Sequence, residues 1–145
     1  MNTYNLFKID DKFIRKNIDQ FMYVLEDFKK IQWNKENFLL EKEGKWDYSL
    51  GIEKNLRLIG YIIASINSVH NSVHIHLFIV AKEYRSKNYG TILLDKFTQL
   101  IQQSHQKSIT LKVHQENHKA IKFYKSKNFF ISGYSKEHFW MTRNL

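Results

Sequence analysis

Val80-Ala81-Lys82-Glu83-Tyr84-Arg85-Ser86-Lys87-Asn88-Tyr89-Gly90-Thr91 separates two apolar patterns of different period. Upstream, Val73 to Val80 reads as a strand; downstream, Leu93, Phe97, Leu100 and Ile101 recur at helical spacing. The segment between them is charged and carries a glycine at its end. A helix start leaves several backbone N–H groups unpaired and carries the positive end of the helix dipole. A loop entering it, with a glycine for close approach and Arg85 and Lys87 beside it, suits a pyrophosphate. An ordinary strand-to-helix turn uses a glycine too, to relieve backbone strain, and the loop alone leaves both alternatives open.

Outward from this loop, Thr3 to Ile9 alternates as a first strand. Asp10 or Asp11 can cap one helix with the apolar stripe Ile14, Ile18, Phe21, Leu25 and Phe28. The span from Ile31 to Lys45 is ambiguous, with a short helix expected around Glu36 to Glu41. A hairpin follows, Trp46 to Glu53 and Arg57 to Asn67 around Lys54-Asn55, and a polar turn leads to Val73. After the loop and its helix come a strand at Ser108 to His114 and a helix at Asn117 to Lys127. Closing strands are expected at Phe129 to Tyr134 and His138 to Thr142. This order implies a mixed α+β fold, a central, mostly antiparallel sheet of six to seven strands flanked by helices, with one crossover late in the chain. No repeat, linker or low-complexity tract divides it, so 1–145 is expected to form a single domain.

Composition narrows the function. At 145 residues, 43% hydrophobic and 15% aromatic, the chain can bury a real core. It contains no cysteine, which excludes disulfides, thiolate metal sites and a cysteine nucleophile. Its apolar runs are too short to cross a bilayer, and Met1-Asn2-Thr3-Tyr4 lacks the start of a secretory signal, so a cytoplasmic protein is expected. The formal charge of +9 invites a nucleic-acid reading. Against it, the cations are mostly lysine, proline is absent, and Asn and Ile are abundant, the bacterial-like vocabulary of an AT-rich genome. Lysine is also a poorer bidentate reader than arginine. A generic basic surface fits these cues better than a dedicated nucleic-acid face, and the excess charge favours an anionic ligand.

Val80-Ala81-Lys82-Glu83-Tyr84-Arg85-Ser86-Lys87-Asn88-Tyr89-Gly90 resembles the acetyl-CoA signature of the GNAT superfamily of N-acetyltransferases. There a valine and four further residues precede Arg-x-x-Gly-x-Gly/Ala. Asn117-x-x-Ala120-x-x-x-Tyr124, followed by Asn128-Phe129, is similar to the superfamily's second motif, Asn-x-x-Ala-x-x-x-Tyr with a later Gly-Phe. Asn88 and Asn128 stand where glycines are usual, and asparagine is the substitute that best tolerates positive φ. The resemblance implies a splayed sheet in which the strands Val73–Val80 and Ser108–His114 part. It implies that the backbone of Ile79 and Val80 pairs with the pantetheine arm. The amides of Arg85, Ser86, Lys87, Asn88, Tyr89, Gly90 and Thr91 would bind the pyrophosphate, and Asn117 would line the groove. It also implies an acetyl-CoA-dependent N-acetyltransferase, with acetyl-CoA as co-substrate, acting on a primary amine by direct attack in a ternary complex.

Such chemistry needs a base, because an alkylamine of pKa about 10.4 is mostly protonated near neutral pH. It also needs an acid for the departing thiolate. His74 and His76 are two apart on the strand entering the loop, which places them on one face with Phe78 and Val80. Val73, Ile75, Leu77 and Ile79 would then form a wholly apolar opposite face. His74-Ile75-His76-Leu77-Phe78 also resembles the His-x-His strand of the arylalkylamine N-acetyltransferases, which implies proton removal through waters held by the pair. Sheet-surface histidines, or a metal site with His114, are alternatives; no metal is expected, since no carboxylate stands at ligand spacing. Lys112 occupies the position where related ribosomal-protein acetyltransferases carry a glutamate base, while Glu116 or water alone are weaker candidates than the pair. Tyr124 shares a helical stripe with Asn117 and Ala120, and the resemblance implies that it is the acid.

Trp33, Phe38, Trp46, Tyr48, Tyr134 and Trp140 are candidates to wall the acceptor pocket, or else ordinary core aromatics. Small amine, amino sugar, peptide N-terminus and lysine remain open as acceptors. The rival classes are a basic nucleic-acid-binding module and a non-catalytic acetyl-CoA sensor. The sequence does not fix the oligomeric state; it leaves room for a homodimer, the commonest oligomer.

Overall fold

The structure is a computed structural model that describes residues 3–28 and 31–145; Met1 and Asn2 of the N-terminal stretch read above lie outside the described residues. Seven strands form one sheet: β1 (Asn5–Lys8), β2 (Leu50–Lys54), β3 (Arg57–Asn67), β4 (Ser72–Val80), β5 (Ser108–His114), β6 (Phe130–Tyr134) and β7 (His138–Asn144). Their spatial order is β1-β2-β3-β4-β5-β7-β6, and every pair is antiparallel except β4–β5. The parallel pair needs a crossover, which the helix α5 (Tyr89–Gln102) supplies. The mixed, mostly antiparallel and splayed sheet is the fold class the sequence implied.

The N-terminal helix is two helices, not one. α1 (Asp11–Lys16) starts where the Asp10 carboxylate accepts from the Phe13 amide at 2.7 Å. The chain leaves helical geometry at Asn17, whose side-chain amide donates to the Phe13 carbonyl at 2.9 Å. Asparagine side chains compete with the helical ladder in this way, and the apolar stripe continues into α2 (Ile18–Leu25) regardless. α3 (Lys35–Leu39) opens on a reciprocal Asn34–Asn37 capping box. Trp46 to Tyr48, read as the start of a strand, instead lies in α4 (Lys45–Tyr48). Gly44 enters that helix at φ 71°, and a Cβ there would sit 2.5 Å from the Ile66 side chain. The final helix is α6 (His118–Ser126).

Two cores lie on opposite faces of the sheet. One, under α5 and α6, includes Val73, Ile75, Leu93, Phe97, Leu111 and Met141, with Phe78 and Val80 packed against it. The other, under α1–α4, includes Ile14, Phe21, Phe38, Tyr61, Leu77 and Ile79. The strict alternation expected for β4 therefore fails midway. Ile63 pairs with Leu77 and Ala64 with Ile75, which leaves His76 as an extra residue, a β-bulge. One added residue reverses the alternation: Val73 and Ile75 face one core, Leu77 and Ile79 the other.

Lys45 is buried in this second layer, only 1% exposed. Its ammonium donates to the carbonyls of Phe38 at 2.5 Å and Leu40 at 2.7 Å, and lies 4.7 Å from the centre of the Trp46 ring. It thereby fastens the α3–α4 connection to the body. Burial lowers its pKa from 10.5 to about 8. An unfolded chain thus binds this proton more tightly than the folded one between pH 8 and 10.5, so folding gains stability as pH rises through that window and gains nothing below it. Relative to Lys45→Met, the wild type should gain roughly 3 kcal/mol from pH 8 to pH 10.5. Denaturant titrations of both proteins across this range check it; parallel curves would show that Lys45 keeps an ordinary pKa.

Candidate functional site

β4 and β5 pair only from Ser72–Ile75 to Ser108–Leu111, after which β5 continues alone on β7 as far as His114. The last residues of β4 therefore border a gap. The Ala81 amide bonds to the Ile59 carbonyl at 2.7 Å, which fixes the alternation of the β3–β4 ladder. Ile79 accordingly turns its backbone toward β3, while Phe78 and Val80 turn theirs toward the gap. Of the two residues whose backbone was expected to pair with a pantetheine arm, Val80 turns it to the gap and Ile79 turns it to β3. Phe78, which the sequence reading left out, takes its place.

The loop after β4 runs through a short 3-10 turn (Lys82–Tyr84) into α5. Ser86 and Asn88 both adopt positive φ, 60° and 74°, and Asn128 does so at 69°. Both asparagines thus hold the backbone shape that glycine would. Asn88 precedes α5 without a side-chain cap, and the first helical bond is from the Ile92 amide to the Asn88 carbonyl. The amides of Tyr89, Gly90 and Thr91 have no partner within the helix, and no acidic residue occupies its first turn. A Cβ on Gly90 would meet Phe123 and Phe78 at 3.9 Å and Val80 at 4.0 Å, so this glycine faces the gap. Exposed Ser86 and Lys87 and half-buried Thr91 complete a rim suited to phosphate oxygens.

Three side chains singled out in the sequence are engaged elsewhere. The Arg85 guanidinium grips the Asp27 carboxylate at 2.5 and 2.9 Å, lies 4.2 Å from the Phe28 ring, and donates to the Val80 carbonyl at 2.8 Å. The hydrogen bonds from Arg85 to the Asp27 carboxylate are the main reason that carboxyl titrates below its usual range. Arg85 ties the loop to the end of α2. Tyr89 is 5% exposed, and its hydroxyl accepts from Lys54 at 2.8 Å, so only its amide faces the rim. Asn117 is exposed, and its side-chain oxygen caps α6 by accepting from the Ala120 amide at 3.2 Å.

Tyr124 and the histidine pair lie on opposite sides of the sheet. Tyr124 packs with the α5–α6 core, its ring 5.5 Å from Phe123 and Phe129 and 6.3 Å from Phe78. Its hydroxyl has no hydrogen-bond partner among the described residues, and burial raises its pKa. The bulge turns His74 and His76 to the other face, away from Phe78 and Val80, contrary to the sequence expectation. Their rings are 4.9 Å apart. His74 Nδ1 is 2.8 Å from the Thr110 hydroxyl and His76 Nε2 is 2.6 Å from that of Ser65. Burial lowers both pKa values from 6.5 to about 4; Lys112 and Lys42 add to the effect at His74, and the His74, Lys42 and Lys45 charges at His76. Both imidazoles are neutral at pH 7, able to hold water and pass a proton on, but not to retain one.

Around them the candidate aromatics divide. Phe38 is fully buried, with Trp33 packed on it; Trp46 donates its indole N–H to Glu41, and Tyr48 packs under α5. Trp140 is 37% exposed and its ring lies 5.4 Å from His74, while Tyr134 stands at the edge on Phe139. Lys112 is exposed, 5.1 Å from the Trp140 ring. Glu116 is exposed, and its amide donates to His114 Nδ1 at 3.2 Å. Two shallow depressions, of about 520 and 330 Å³, lie beside α2 and not at the gap. Among the described residues, no group of three His, Asp or Glu is disposed to hold a metal ion, and no helix is long and apolar enough to cross a membrane.

Residues 17–129 match the model of the acetyltransferase (GNAT) family. Curated protein sequences give no match. Solved structures share the fold. The ribosomal-protein-S18-alanine N-acetyltransferase of Escherichia coli superposes with a TM-score of 0.82 at 13% identity, covering 98% of this chain and 94% of that one. Ard1 from Thermoplasma volcanium gives 0.82 at 22% identity, covering 98% and 97%. The PaiA N-acetyltransferase of Thermoplasma acidophilum, solved in complex with coenzyme A, gives 0.80 at 19% identity, covering 99% of each chain.

Proposed function

The chain belongs to the acetyltransferase (GNAT) family, and on that premise we propose that it transfers the acetyl group of acetyl-CoA to a primary amine, by direct attack in a ternary complex, as a single cytoplasmic domain. One observation carries this reading. The β4–β5 gap opens beside the uncapped start of α5, and the strand that borders it has a phenol packed near its Phe78 on one face of the sheet and carries two imidazoles on the other.

Bound acetyl-CoA would supply an activated acyl carbon and a leaving thiolate. The amides of Tyr89, Gly90 and Thr91, with Ser86, Lys87 and Asn88, hold the diphosphate, and the Val80 amide holds the arm; Arg85 fixes the loop that presents them. The amine approaches from the histidine side. Its nitrogen bonds to the acyl carbon as the carbon–sulfur bond breaks, and it loses its protons to solvent. His74 and His76 assist by holding the water through which those protons leave. The likeness of their strand to that of the arylalkylamine enzymes supports this role. The nearby Lys42, Lys45 and Lys112 charges also favour the neutral, nucleophilic form of the amine. Tyr124 gives its phenolic proton to the thiolate and regains one from solvent after the thiol leaves.

A thermal-shift titration followed by an amine panel tests the proposal. Acetyl-CoA at about 100 times its Kd should stabilise the protein by roughly 2.7 kcal/mol, whereas nucleic acid should not raise Tm. At least one amine should then release free thiol. Stabilisation without turnover of any amine would mark a sensor, and stabilisation by nucleic acid alone would mark a basic binding module.

A further inference from the structure

One face of the sheet is helix-covered over only part of its width. α2 and α4 pack on β3, and α2 also on β4. Beyond β4 the same face continues onto Thr110, Lys112 and His114 of β5, with Thr142, Trp140 and His138 of β7 opposite them in the ladder. Leu111, Val113 and Met141 point the other way, into the α5–α6 core. The outer six include two histidines and a lysine but no carboxylate.

Trp140 joins this surface to the histidine side of the gap, 5.4 Å from His74 and 5.1 Å from the Lys112 ammonium. Lys42, in the α3–α4 connection, adds to the lowering of both histidine pKa values, and Lys45 to that of His76. Glu41, in the same connection, is bonded to the Trp46 indole. A simple alkylammonium entering here meets charge of its own sign. A zwitterion enters neutral, and its anionic end gains from Lys112 and Lys42.

We infer that the acceptor is a primary amine that itself carries a carboxylate, bound with that carboxylate toward Lys112 and Lys42 and its apolar part on the exposed face of Trp140. This rests on the acetyl-transfer reading and specifies its acceptor: free amino acids or similar zwitterions, in preference to polyamines, lysine side chains and plain arylalkylamines.

Matched pairs that differ only in the carboxylate test it, phenylalanine against phenethylamine and tryptophan against tryptamine, with spermidine alongside. The acid of each pair should show a kcat/KM at least tenfold higher than its decarboxylated partner, with spermidine lowest. Lys112→Glu and Lys42→Glu should shrink or invert that ratio. A ratio unchanged in both variants would belong to the lower basicity of amino acids and overturns the inference.

A binding measurement decides the question without turnover. In the presence of coenzyme A, the indole N–H signal of Trp140, identified by its loss in Trp140→Phe, should respond to phenylalanine at concentrations at least tenfold below those needed for phenethylamine. Equal or tighter binding of phenethylamine overturns the inference even if acetyl transfer is confirmed. Failure of coenzyme A to bind overturns the acetyl-transfer reading instead, and the same titration without it still decides the acceptor.

Discussion

Tyr124→Phe lowers turnover about 10²-fold or more, while acetyl-CoA raises Tm as much as in the wild type. The substitution removes one oxygen and leaves the ring among Phe78, Phe123 and Phe129. No described residue bonds to that oxygen, so folding loses no hydrogen bond, and stability should hold or rise slightly. On solution values, a phenol of pKa about 10 gives its proton uphill to a thiolate of about 8.5. Burial steepens the slope by raising the phenol further, but a thiolate leaving into the same apolar surroundings is raised as well. The transfer is therefore expected to run with carbon–sulfur cleavage. Steady-state kinetics combined with thermal shift separates the outcomes. Unchanged turnover would take Tyr124 out of the mechanism, and a lost thermal shift would make it a packing residue of the groove.

Gly90 should divide stability from binding. The nearest atoms to a Cβ there are at 3.9 Å, an ordinary contact, so Gly90→Ala fits the folded chain. A helical Gly→Ala change stabilises by roughly 0.5–1 kcal/mol. Those neighbours, Phe78, Phe123 and Val80, are also the walls of the gap. Gly90→Val places branched methyls where the arm would run. Overpacking of that kind typically costs about 1–3 kcal/mol, so coenzyme A affinity should fall about fivefold to over a hundredfold. Calorimetric titration beside a melting curve checks both halves. Unchanged affinity in Gly90→Val would place the ligand elsewhere.

Much of this fold was legible because its strongest periodic segments are decided locally. Ser108–His114 is a strand with the limits expected, and the loop helix keeps Leu93, Phe97 and Ile101 in the core. Asn88 and Asn128 stand where the motifs carry glycine, and asparagine's tolerance of positive φ let the backbone shape there be expected. The failures have a common origin in tertiary context. Trp46-Asp47-Tyr48 alternates like a strand, but Gly44 turns the chain into a helix beneath Ile66. Lys45 ends a span the sequence left ambiguous, and only the fold brings the carbonyls of Phe38 and Leu40 around it. Arg85 and Asn117 occur in the expected motifs, yet Asp27, distant in sequence, and the first turn of α6 engage their side chains. Trp140 emerges as a neighbour of His74 only once β5 lies between their strands.

The odd residue in β4 has an evolutionary corollary. Removing His76 by deletion would restore even register, so that everything from Leu77 onward exchanges inside for outside. The aromatic wall behind the phenol and the amides lining the slot would be lost together. Point substitution at this position is a matter of chemistry, whereas an insertion or deletion there rewires the molecule. Descendants of this chain should therefore vary the identity of residue 76 far more readily than the length of the strand that holds it.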